Sequence, residues 1–264
     1  MFSGGIVLEL NVMSTERKES TWFDDHFISA VDQFASFLGD NNLEIEGKDV
    51  ADIGCGDGII DVGVATRLKP RQLTGYDLRP TDVSELESVL HRQRPGLEIP
   101  ANLRFDVSTP DRISADDGSM DIVMSWSVFE HVNNPVAMLG EIRRIVKPTG
   151  VVFIQLWPFY RSEHGGHLWT NIEGSFEHLT QDAQTIESAL AGRSGTDVTR
   201  SAVDEWRSLN RIELDDIQRA LLANRLLGTK IELISNCVHI PRHLAHLPWS
   251  SLLVGGVKVL AVPI

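Results

Sequence analysis

The hydrophobic and polar positions of this chain follow two alternating periodicities over most of its length. Short apolar runs predict five strands, at residues 49–54, 72–78, 102–107, 120–126 and 151–156. Between these runs the apolar residues have helical spacing, most clearly after Asn134, which can cap a helix whose first position is Pro135. Because strands that alternate with helices form parallel sheets covered on both faces, the pattern predicts a three-layer αβα domain.

Further elements are predicted on either side of these five strands. The apolar spacing predicts a helix from Trp22 to Leu38 that ends at Gly39. Near the carboxyl terminus, the same reasoning predicts one helix and two strands, at 214–228, 230–240 and 255–264. The chain is therefore predicted to be an α/β protein with seven strands.

The alternation of strands and helices stops after the fifth strand. Residues 157–210 contain no convincing strand, and they begin with a polar stretch rich in His and Trp. One helix with an apolar face is predicted there, from Phe176 to Leu190. We interpret 157–210 as a helical and loop insertion into a single domain at 22–264, with an N-terminal extension at 1–21.

The stretch VADIGCGDG at 50–58 places three glycines between the first strand and the next helix. Such a turn lets a ligand approach the backbone, and the following helix offers free N–H groups. The spacing is Gly-x-Gly-x-Gly rather than the Gly-x-Gly-x-x-Gly of dinucleotide-binding folds. Asp52 precedes the turn and Asp57 lies within it, so a pyrophosphate would be repelled. The pattern favours a ligand that is positively charged and carries no phosphate.

Acidic residues also end the next two predicted strands, Asp77 the second and Asp106 the third. A carboxylate at the first of these positions can accept hydrogen bonds from both hydroxyls of a ribose. A carboxylate at the end of the third strand can accept a hydrogen bond from an exocyclic adenine amine. Because ligands of open α/β sheets bind at the carboxyl ends of the strands, these acids and Asp52 predict a nucleoside site.

Four segments of the chain occur in a particular order: VADIGCGDG, GYDLRP, RFDV and MDIVMSWSVFEHVNNPVAMLGEIRRIVKPTGVVFI. Together they resemble the class I S-adenosylmethionine-dependent methyltransferases, over roughly 45–156 and the final helix and two strands. The resemblance implies a Rossmann-like, seven-stranded, mostly parallel sheet whose last strand is antiparallel. It also implies S-adenosylmethionine as cofactor and S-adenosylhomocysteine as product.

The resemblance also assigns the cofactor contacts residue by residue. Asp52 and the glycine turn would hold the methionine part, Asp77 the ribose, and Asp106 with Val107 the adenine. The end of the fourth strand would line the sulfonium side. The implied cofactor-binding residues are Asp52, Gly54, Cys55, Gly56, Gly58, Asp77, Leu78, Asp106, Val107, Ser125 and Trp126.

Methyl transfer to a hydroxyl requires removal of a proton, and candidate bases follow the fourth and fifth strands. Glu130 and His131 follow the fourth strand, and Tyr160, His164 and His167 follow the fifth. Histidine titrates near neutral pH, so the three histidines are the candidate catalytic residues. The alternative for each is a structural role in packing and in hydrogen bonds to the backbone.

A divalent ion is a further possibility for the same residues. Glu163, His164 and His167, together with Glu130 and His131, are of the types that bind metals. Some methyltransferases that act on sugars or quinone precursors resemble this chain and use magnesium. Magnesium prefers oxygen ligands, however, and this group is rich in nitrogen. No metal ligand is therefore assigned, and a divalent metal is not favoured as cofactor.

Composition narrows the range of partners and locations. The chain has 37 acidic and 24 basic residues, for a net charge of −13, which argues against a nucleic-acid partner. Cys55 and Cys237 are too few for a disulfide framework and fit a reducing, cytoplasmic location. No apolar run approaches the length of a membrane span. An edge strand and an exposed insertion would permit a homodimer.

We therefore predict transfer of a methyl group to an oxygen of a small molecule, sugar or glycan, with His as general base. Aromatic residues that suit a flat acceptor concentrate near the predicted site: Trp126, Trp157, Phe159, Tyr160 and Trp169. Two alternatives remain open. One is C-methylation of a quinone-like ring, and the other is a regulatory protein that binds S-adenosylmethionine without catalysis.

Overall fold

The computed structural model describes most of the chain, at residues 18–168, 172, 174–191 and 203–264. Most of the predicted extension at 1–21 lies outside the described residues, and Trp169 also lies outside them. Within the described residues, no helix is both long enough and apolar enough to cross a membrane. The chain forms two compact units, Met1–Ser108 and Thr109–Ile264.

The first unit contributes three strands and three helices among its described residues. In chain order they are α1 (18–39, with a π-helical segment Asp25–Ala30 followed by Val31–Gly39), β1 (Asp49–Ile53), α2 (Ile59–Arg67), β2 (Gln72–Asp77), α3 (Val83–Gln93) and β3 (Leu103–Val107). Each of the three predicted strands is confirmed to within one residue at either end.

The strands of the first unit pair in parallel, in the order β3-β2-β1. Asp52 lies opposite Gly75 on β2, and Asp106 lies opposite Tyr76. Because the three strands run in the same direction, their carboxyl ends lie at one edge. The residues that follow each strand are therefore neighbours, as the sequence predicts.

The predicted N-terminal helix is confirmed, but its π-helical segment has no signal in the apolar spacing. A π-helical turn leaves carbonyl groups outside the regular hydrogen-bond pattern. Arg67 at the end of α2 donates from Nη1 to the carbonyls of Phe27 at 3.0 Å and Ile28 at 3.1 Å. Gly63 on α2 allows the close approach, because a Cβ there would lie 2.8 Å from the Phe27 carbonyl oxygen.

The second unit contributes four strands and several short helices among its described residues. They are β4 (Met120–Trp126), α4 (Pro135–Ile145), β5 (Val146–Leu156), α5 (Glu177–Thr180), α6 (Ala183–Ala191), α7 (203–208), α8 (Leu214–Ala223), β6 (Leu226–Ser235), α9 (Trp249–Leu253) and β7 (Val254–Pro263). β4 and β5 are parallel, with Trp126 opposite Gln155. β7 is antiparallel to both β5 and β6, which confirms the predicted direction of the last strand.

The helix predicted at 214–228 is wrong beyond Ala223. Asn224 ends α8, and its side-chain Nδ2 donates to the carbonyls of Ala220 at 2.9 Å and Val136 at 2.8 Å. Arg225 then adopts a left-handed conformation, with φ of 56°, and β6 begins at the next residue. Leu226 and Leu227 therefore belong to the strand that pairs with β7.

The single helix predicted from Phe176 to Leu190 is also wrong. Phe176 has φ of 64° and only precedes α5, so it is not helical. A second helix, α6, starts after Asp182, whose Oδ1 accepts from the backbone N–H of Thr185 at 2.8 Å. Phe176 and Ile186 are nevertheless both fully buried, in separate apolar clusters. The apolar spacing reports burial here rather than one continuous helix.

Gly58 provides a test of the close packing within the first unit. Its φ is +78°, and an added Cβ would lie 2.6 Å from Cζ of Phe105 on β3. We expect Gly58→Ala to lower the free energy of unfolding by about 1–3 kcal/mol from backbone strain alone, with a further loss from displacing Phe105. Denaturant unfolding measures the change.

Gly47→Ala is the matched control, because Gly47 has φ of +73° with no atom within 4 Å of an added Cβ. Gly47→Ala therefore introduces the same backbone strain without a steric clash. Equal losses of stability for the two variants would show that Phe105 does not press on the turn.

Candidate functional site

The glycine turn of the first unit leaves an open stretch of backbone between β1 and α2. Gly56 is exposed and has φ of +53°, and no atom lies within 4 Å of the position that a Cβ would take. Gly58 instead packs against Phe105, so the two glycines serve different purposes. Space beside Gly56 is what the close approach of a ligand requires.

Asp57 holds this turn in place through both carboxylate oxygens. Oδ1 accepts from the backbone N–H of Ile59 at 3.1 Å, and Oδ2 accepts from Nε1 of Trp22 on α1 at 2.8 Å. Gly58 occupies the N-cap position of α2. The acid predicted to repel a pyrophosphate thus also anchors α1 to the turn.

Asp77 joins the end of β2 to the glycine turn. Its Oδ2 accepts from the backbone N–H of Gly56 at 3.1 Å, and its Oδ1 accepts from that of Arg79 at 3.2 Å. Thr81 adds a further connection, since its hydroxyl donates to the Gly56 carbonyl at 3.2 Å and lies 3.6 Å from Sγ of Cys55. These bonds fix a half-buried carboxylate beside open backbone, and a carboxylate has capacity for further donors.

The predicted adenine side of the site is open to solvent. Asp106 and Val107 at the end of β3 are exposed, and so is Leu78 after β2. Cys55 and Gly54 lie within the turn, where Cys55 is a buried free thiol. The first unit thus collects every predicted cofactor residue of β1, β2 and β3 at one edge.

Asp52 is buried without a full set of hydrogen bonds. It is 2 % exposed, and its Oδ1 has no hydrogen-bond partner among the described residues. Burial, with a further contribution from the charge of Asp77, raises the pKa of Asp52 to about 7. Such a carboxyl is suited to a positively charged ligand group, whose approach would stabilise the ionised form.

Asp61 is a second buried acid, and the sequence analysis missed it. It lies in the first turn of α2, is fully buried, and neither carboxyl oxygen has a partner among the described residues. Burial and then the charge of Asp52 raise the pKa of Asp61 well above its ordinary value. Its place in an otherwise apolar helix turn was the signal that could have revealed it.

The second unit holds the other two predicted cofactor residues at the end of β4. Ser125 is fully buried, and Trp126 is half-buried and stacked on Phe153 with ring centroids 6.1 Å apart. Ser127 follows with φ of 51°, and its N–H and hydroxyl both donate to Oε1 of Gln155, at 2.9 and 2.8 Å. The strand end is therefore rigidly held, and its predicted cofactor contact stays a prediction.

The turn after β4 carries Glu130 and His131 and is clamped by Asn210. Asn210 Nδ2 donates to the carbonyls of Phe129 at 2.6 Å and Val132 at 2.7 Å, and its backbone N–H donates to the Glu130 carbonyl at 3.0 Å. Burial raises the pKa of Glu130 to about 8. Burial, and then the neighbouring His167, lower the pKa of His131.

His167 lies beside His131, although the two residues follow different strands. Their rings are 5.0 Å apart and nearly perpendicular. His167 Nδ1 lies 3.0 Å from Oε1 of Glu205 on α7, and this hydrogen bond lowers the pKa of Glu205. Glu205 is a site residue that the sequence analysis missed, because the pair is separated by 38 residues.

His164 is linked to this pair through the backbone, because the N–H of His167 donates to the His164 carbonyl at 3.0 Å, but its ring has other neighbours. Its Nε2 is 3.8 Å from Oε2 of Glu163, and its ring lies edge-on to Trp157, 6.3 Å away. Of the predicted aromatic group, Phe159 is buried and Tyr160 stacks beneath the guanidinium of Arg211 at 4.9 Å. Of the three predicted bases, His131 and His167 thus have rings that face each other, whereas the His164 ring lies against Trp157.

His178 is a further histidine with a structural explanation. It is 7 % exposed, and its Nε2 donates to the Tyr160 carbonyl at 2.6 Å. Burial lowers its pKa to about 4, so it remains neutral near pH 7. Its ring also lies against Tyr160, with centroids 5.2 Å apart. His178 therefore supports the segment that carries the candidate bases.

Comparison with known proteins decides the family. A family model described as "Methyltransferase domain" matches residues 24–199. Solved structures of S-adenosylmethionine-dependent methyltransferases share the fold, among them one from Listeria monocytogenes with a TM-score of 0.53, at 14% identity over 87% of this chain and 96% of that one. The chain belongs to the class I S-adenosylmethionine-dependent methyltransferases. The predicted cofactor and the seven-stranded, mostly parallel Rossmann-like fold class are confirmed at this level.

The curated relatives indicate where the similarity is concentrated. The ubiquinone biosynthesis O-methyltransferase of Dechloromonas aromatica is 32% identical over 117 residues, which are 44% of this chain and 47% of that protein. The tRNA U34 carboxymethyltransferase of Campylobacter curvus is 23% identical over 172 residues, 58% of this chain and 55% of that protein. This methyltransferase spans about half the length of the curated relatives it matches.

Similar structures include proteins of different activity. Geranyl diphosphate C-methyltransferase from Streptomyces coelicolor, solved with Mg²⁺, geranyl diphosphate and S-adenosylhomocysteine, has a TM-score of 0.52 at 15% identity, covering 88% of this chain and 78% of that one. The [4+2]-cyclase SpnF has a TM-score of 0.54 at 14% identity, and the match covers 88% of this chain and 81% of that one. At such identities the likeness shows the fold alone.

The buried carboxyl of Asp52 makes stability dependent on pH. Because its pKa is raised to about 7, the folded state binds this proton more tightly than the unfolded state does. The free energy of unfolding therefore falls as the pH rises from about 4, where the unfolded carboxyl ionises, to about 7, where the folded carboxyl does. We expect the melting temperature of Asp52→Asn, relative to the original protein, to increase between pH 5 and pH 8.

Thermal unfolding at a series of pH values measures this difference. Glu87→Gln, at an exposed position on α3, is the control and should show no such trend. A difference for Asp52→Asn that is the same at every pH would contradict the buried, proton-binding carboxyl.

Proposed function

We propose that this methyltransferase transfers a methyl group to a hydroxyl oxygen of a small-molecule, sugar or glycan acceptor, with His167 as the general base. The observation that carries the proposal is the 3.0 Å contact between His167 Nδ1 and Glu205 Oε1. A carboxylate at Nδ1 fixes the ring and stabilises the imidazolium that forms when Nε2 accepts a proton. His167 has φ of 55°, so its backbone is held in a sparsely populated conformation.

The first unit supplies most of the proposed cofactor residues. Bound S-adenosylmethionine supplies an electrophilic methyl group on a positively charged sulfur. Asp52, which is buried and incompletely hydrogen-bonded, suits the cationic methionine part. Asp77, fixed beside the exposed Gly56, suits the ribose hydroxyls, and exposed Asp106 suits the adenine amine. The chain's residues thus fit a nucleoside that has positive charge and no phosphate.

The bond changes define what the base must do. Bound S-adenosylmethionine would supply the methyl group to the acceptor oxygen, with the electron pair of the broken carbon–sulfur bond left on sulfur, so the acceptor hydroxyl must give up its proton. The hydroxyl proton passes to Nε2 of His167, and the charge that develops on the ring is balanced by Glu205. The ring of His131 lies beside that of His167, with centroids 5.0 Å apart.

Several observations support a neutral small acceptor. The relatives named as O-methyltransferases of ubiquinone biosynthesis favour a hydroxyl. Arg161, a basic residue near the start of the segment after β5, is already paired with Glu213 at 2.8 Å, so a phosphorylated acceptor is less favoured. The acidic balance of the chain disfavours nucleic acid. A cytoplasmic location and a homodimer remain parts of the proposal.

Cofactor binding by Asp77 is tested with S-adenosylhomocysteine in a calorimetric titration. We expect Asp77→Ala to weaken binding by about tenfold to a hundredfold, because it removes the ribose acceptor and loosens the Gly56 turn. The control is Glu87→Gln on the exposed face of α3. Unchanged affinity in Asp77→Ala would remove Asp77 from the site.

The role of His167 is tested by turnover with radiolabelled S-adenosylmethionine and a panel of phenols and sugars. We expect His167→Gln to lower kcat by about 10²–10⁴-fold while cofactor binding is retained. Glu205→Gln should lower kcat less, since the amide oxygen can still accept from Nδ1 and hold the ring, although the balancing charge is lost. His246→Gln, an exposed histidine that contacts the His243 carbonyl, is the control.

Three results would separate the alternatives. Loss of turnover in His131→Gln or His164→Gln, but not in His167→Gln, would move the base to that residue. Full turnover in all three variants, with a methylated carbon in the product, would favour the quinone-like ring. Cofactor binding without methyl transfer to any acceptor of the panel would favour the regulatory protein.

A further inference from the structure

Three side chains of metal-binding type converge in the second unit. One ligand atom each from Glu130, His131 and His167 lie within 4.8 Å of one another. Glu130 and His131 are adjacent in the turn after β4, whereas His167 lies in the segment after β5. Because β4 and β5 are parallel neighbours, the loops that follow them meet at the same edge of the sheet.

Glu130 lacks the partners that a buried carboxylate normally has. It is 3 % exposed, and neither of its oxygens has a hydrogen-bond partner among the described residues. Nε2 of His131 lies 4.0 Å from Oε1 of Glu130, which is too distant for a hydrogen bond. Burying a carboxylate in this way is costly unless a cation neutralises it.

Glu205 adds the outer contact that metal-binding histidines commonly have. Its Oε1 lies 3.0 Å from Nδ1 of His167, which orients the ring and leaves Nε2 as the ligand nitrogen. Asn210 holds the backbone around Glu130 through two carbonyl groups, at 2.6 and 2.7 Å. The Glu205 contact therefore orients the His167 ring, and the Asn210 contacts hold the backbone that carries Glu130 and His131.

We propose that Glu130, His131 and His167 form a binding site for a divalent transition-metal ion, with Zn²⁺ as the best match. Two imidazoles and one carboxylate are the ligands of catalytic zinc sites that keep a fourth position open. Mg²⁺ prefers oxygen ligands, so this donor set, with two nitrogens and one carboxylate, matches Mg²⁺ less well than Zn²⁺.

The distances require a modest closure around the ion. Zinc–nitrogen bonds of about 2.0–2.1 Å place tetrahedral ligand atoms roughly 3.3 Å apart. The ligand atoms therefore need to approach by up to about 1.5 Å from their present separations, within the reach of a rotating side chain. His131 can supply the movement, because its side chain is 36% exposed.

The metal site shares His167 with the proposed function but does not depend on it. An ion and a proton would compete for the same nitrogen, so bound Zn²⁺ would inhibit transfer that uses His167 as base. Binding of the ion is measured without acceptor or cofactor. Failure to bind metal would therefore leave the role of His167 in proton removal untouched.

Calorimetric titration of the chelator-treated chain with ZnCl₂ tests the site directly. We expect one Zn²⁺ per chain, bound at least tenfold more weakly in Glu130→Gln, His131→Gln and His167→Gln. Glu205→Gln should weaken binding by about 10–100-fold through loss of the outer contact. His91→Gln, an exposed histidine on α3 of the first unit, is the control and should bind as the original does.

A second measurement uses Co²⁺, whose visible absorption reports its ligands. The same variants should lose the bands of a four- or five-coordinate ion. Should Glu130→Gln fail to fold, His131→Gln and Glu205→Gln decide the outcome, since both side chains are partly exposed. Zinc binding that is absent, or equal in the original and the three ligand variants, would overturn the proposal, as would tighter binding of Mg²⁺ than of Zn²⁺.

Discussion

Parallel strand pairing is the constraint on which both candidate sites depend. In the first unit it aligns the ends of β1, β2 and β3, so that three acids from distant parts of the chain share one edge. In the second unit it aligns β4 with β5, so that the turn carrying His131 and the segment carrying His167 meet. Loops at such edges can vary without loss of the fold, because their side chains contribute little to the core.

Incompletely paired buried carboxyls lie at or near these edges within the described part of the chain. Asp52, Asp61 and Glu130 are all nearly inaccessible, and each has at least one oxygen without a partner among the described residues. Arg144 is a contrasting case among the described residues, because its guanidinium is fully paired. It donates to Glu141 at 2.7 Å, to Asp117 at 2.7 Å and to two backbone carbonyls. Because folded proteins are only marginally stable, unsatisfied acids of this kind are best explained by a ligand.

The fold by itself leaves the chemistry undecided. A cyclase and a C-methyltransferase resemble this chain about equally well in structure, with TM-scores of 0.54 and 0.52. What separates such proteins is the set of side chains at the strand ends. Here that set includes a carboxylate-backed histidine in the segment after β5, which suits removal of a proton from a hydroxyl.

The sequence by itself determined the seven strands, the glycine turn and the acids at the ends of β1, β2 and β3, because periodicity and strand-end position are local properties of the chain. It could not determine where helices ended when a side chain such as Asn224 made contacts 88 residues away. Only the tertiary structure paired His167 with Glu205, buried Asp61 beside Asp52 and placed the ring of His131 against that of His167. Those relations arise from packing between segments distant in sequence, which no local pattern records.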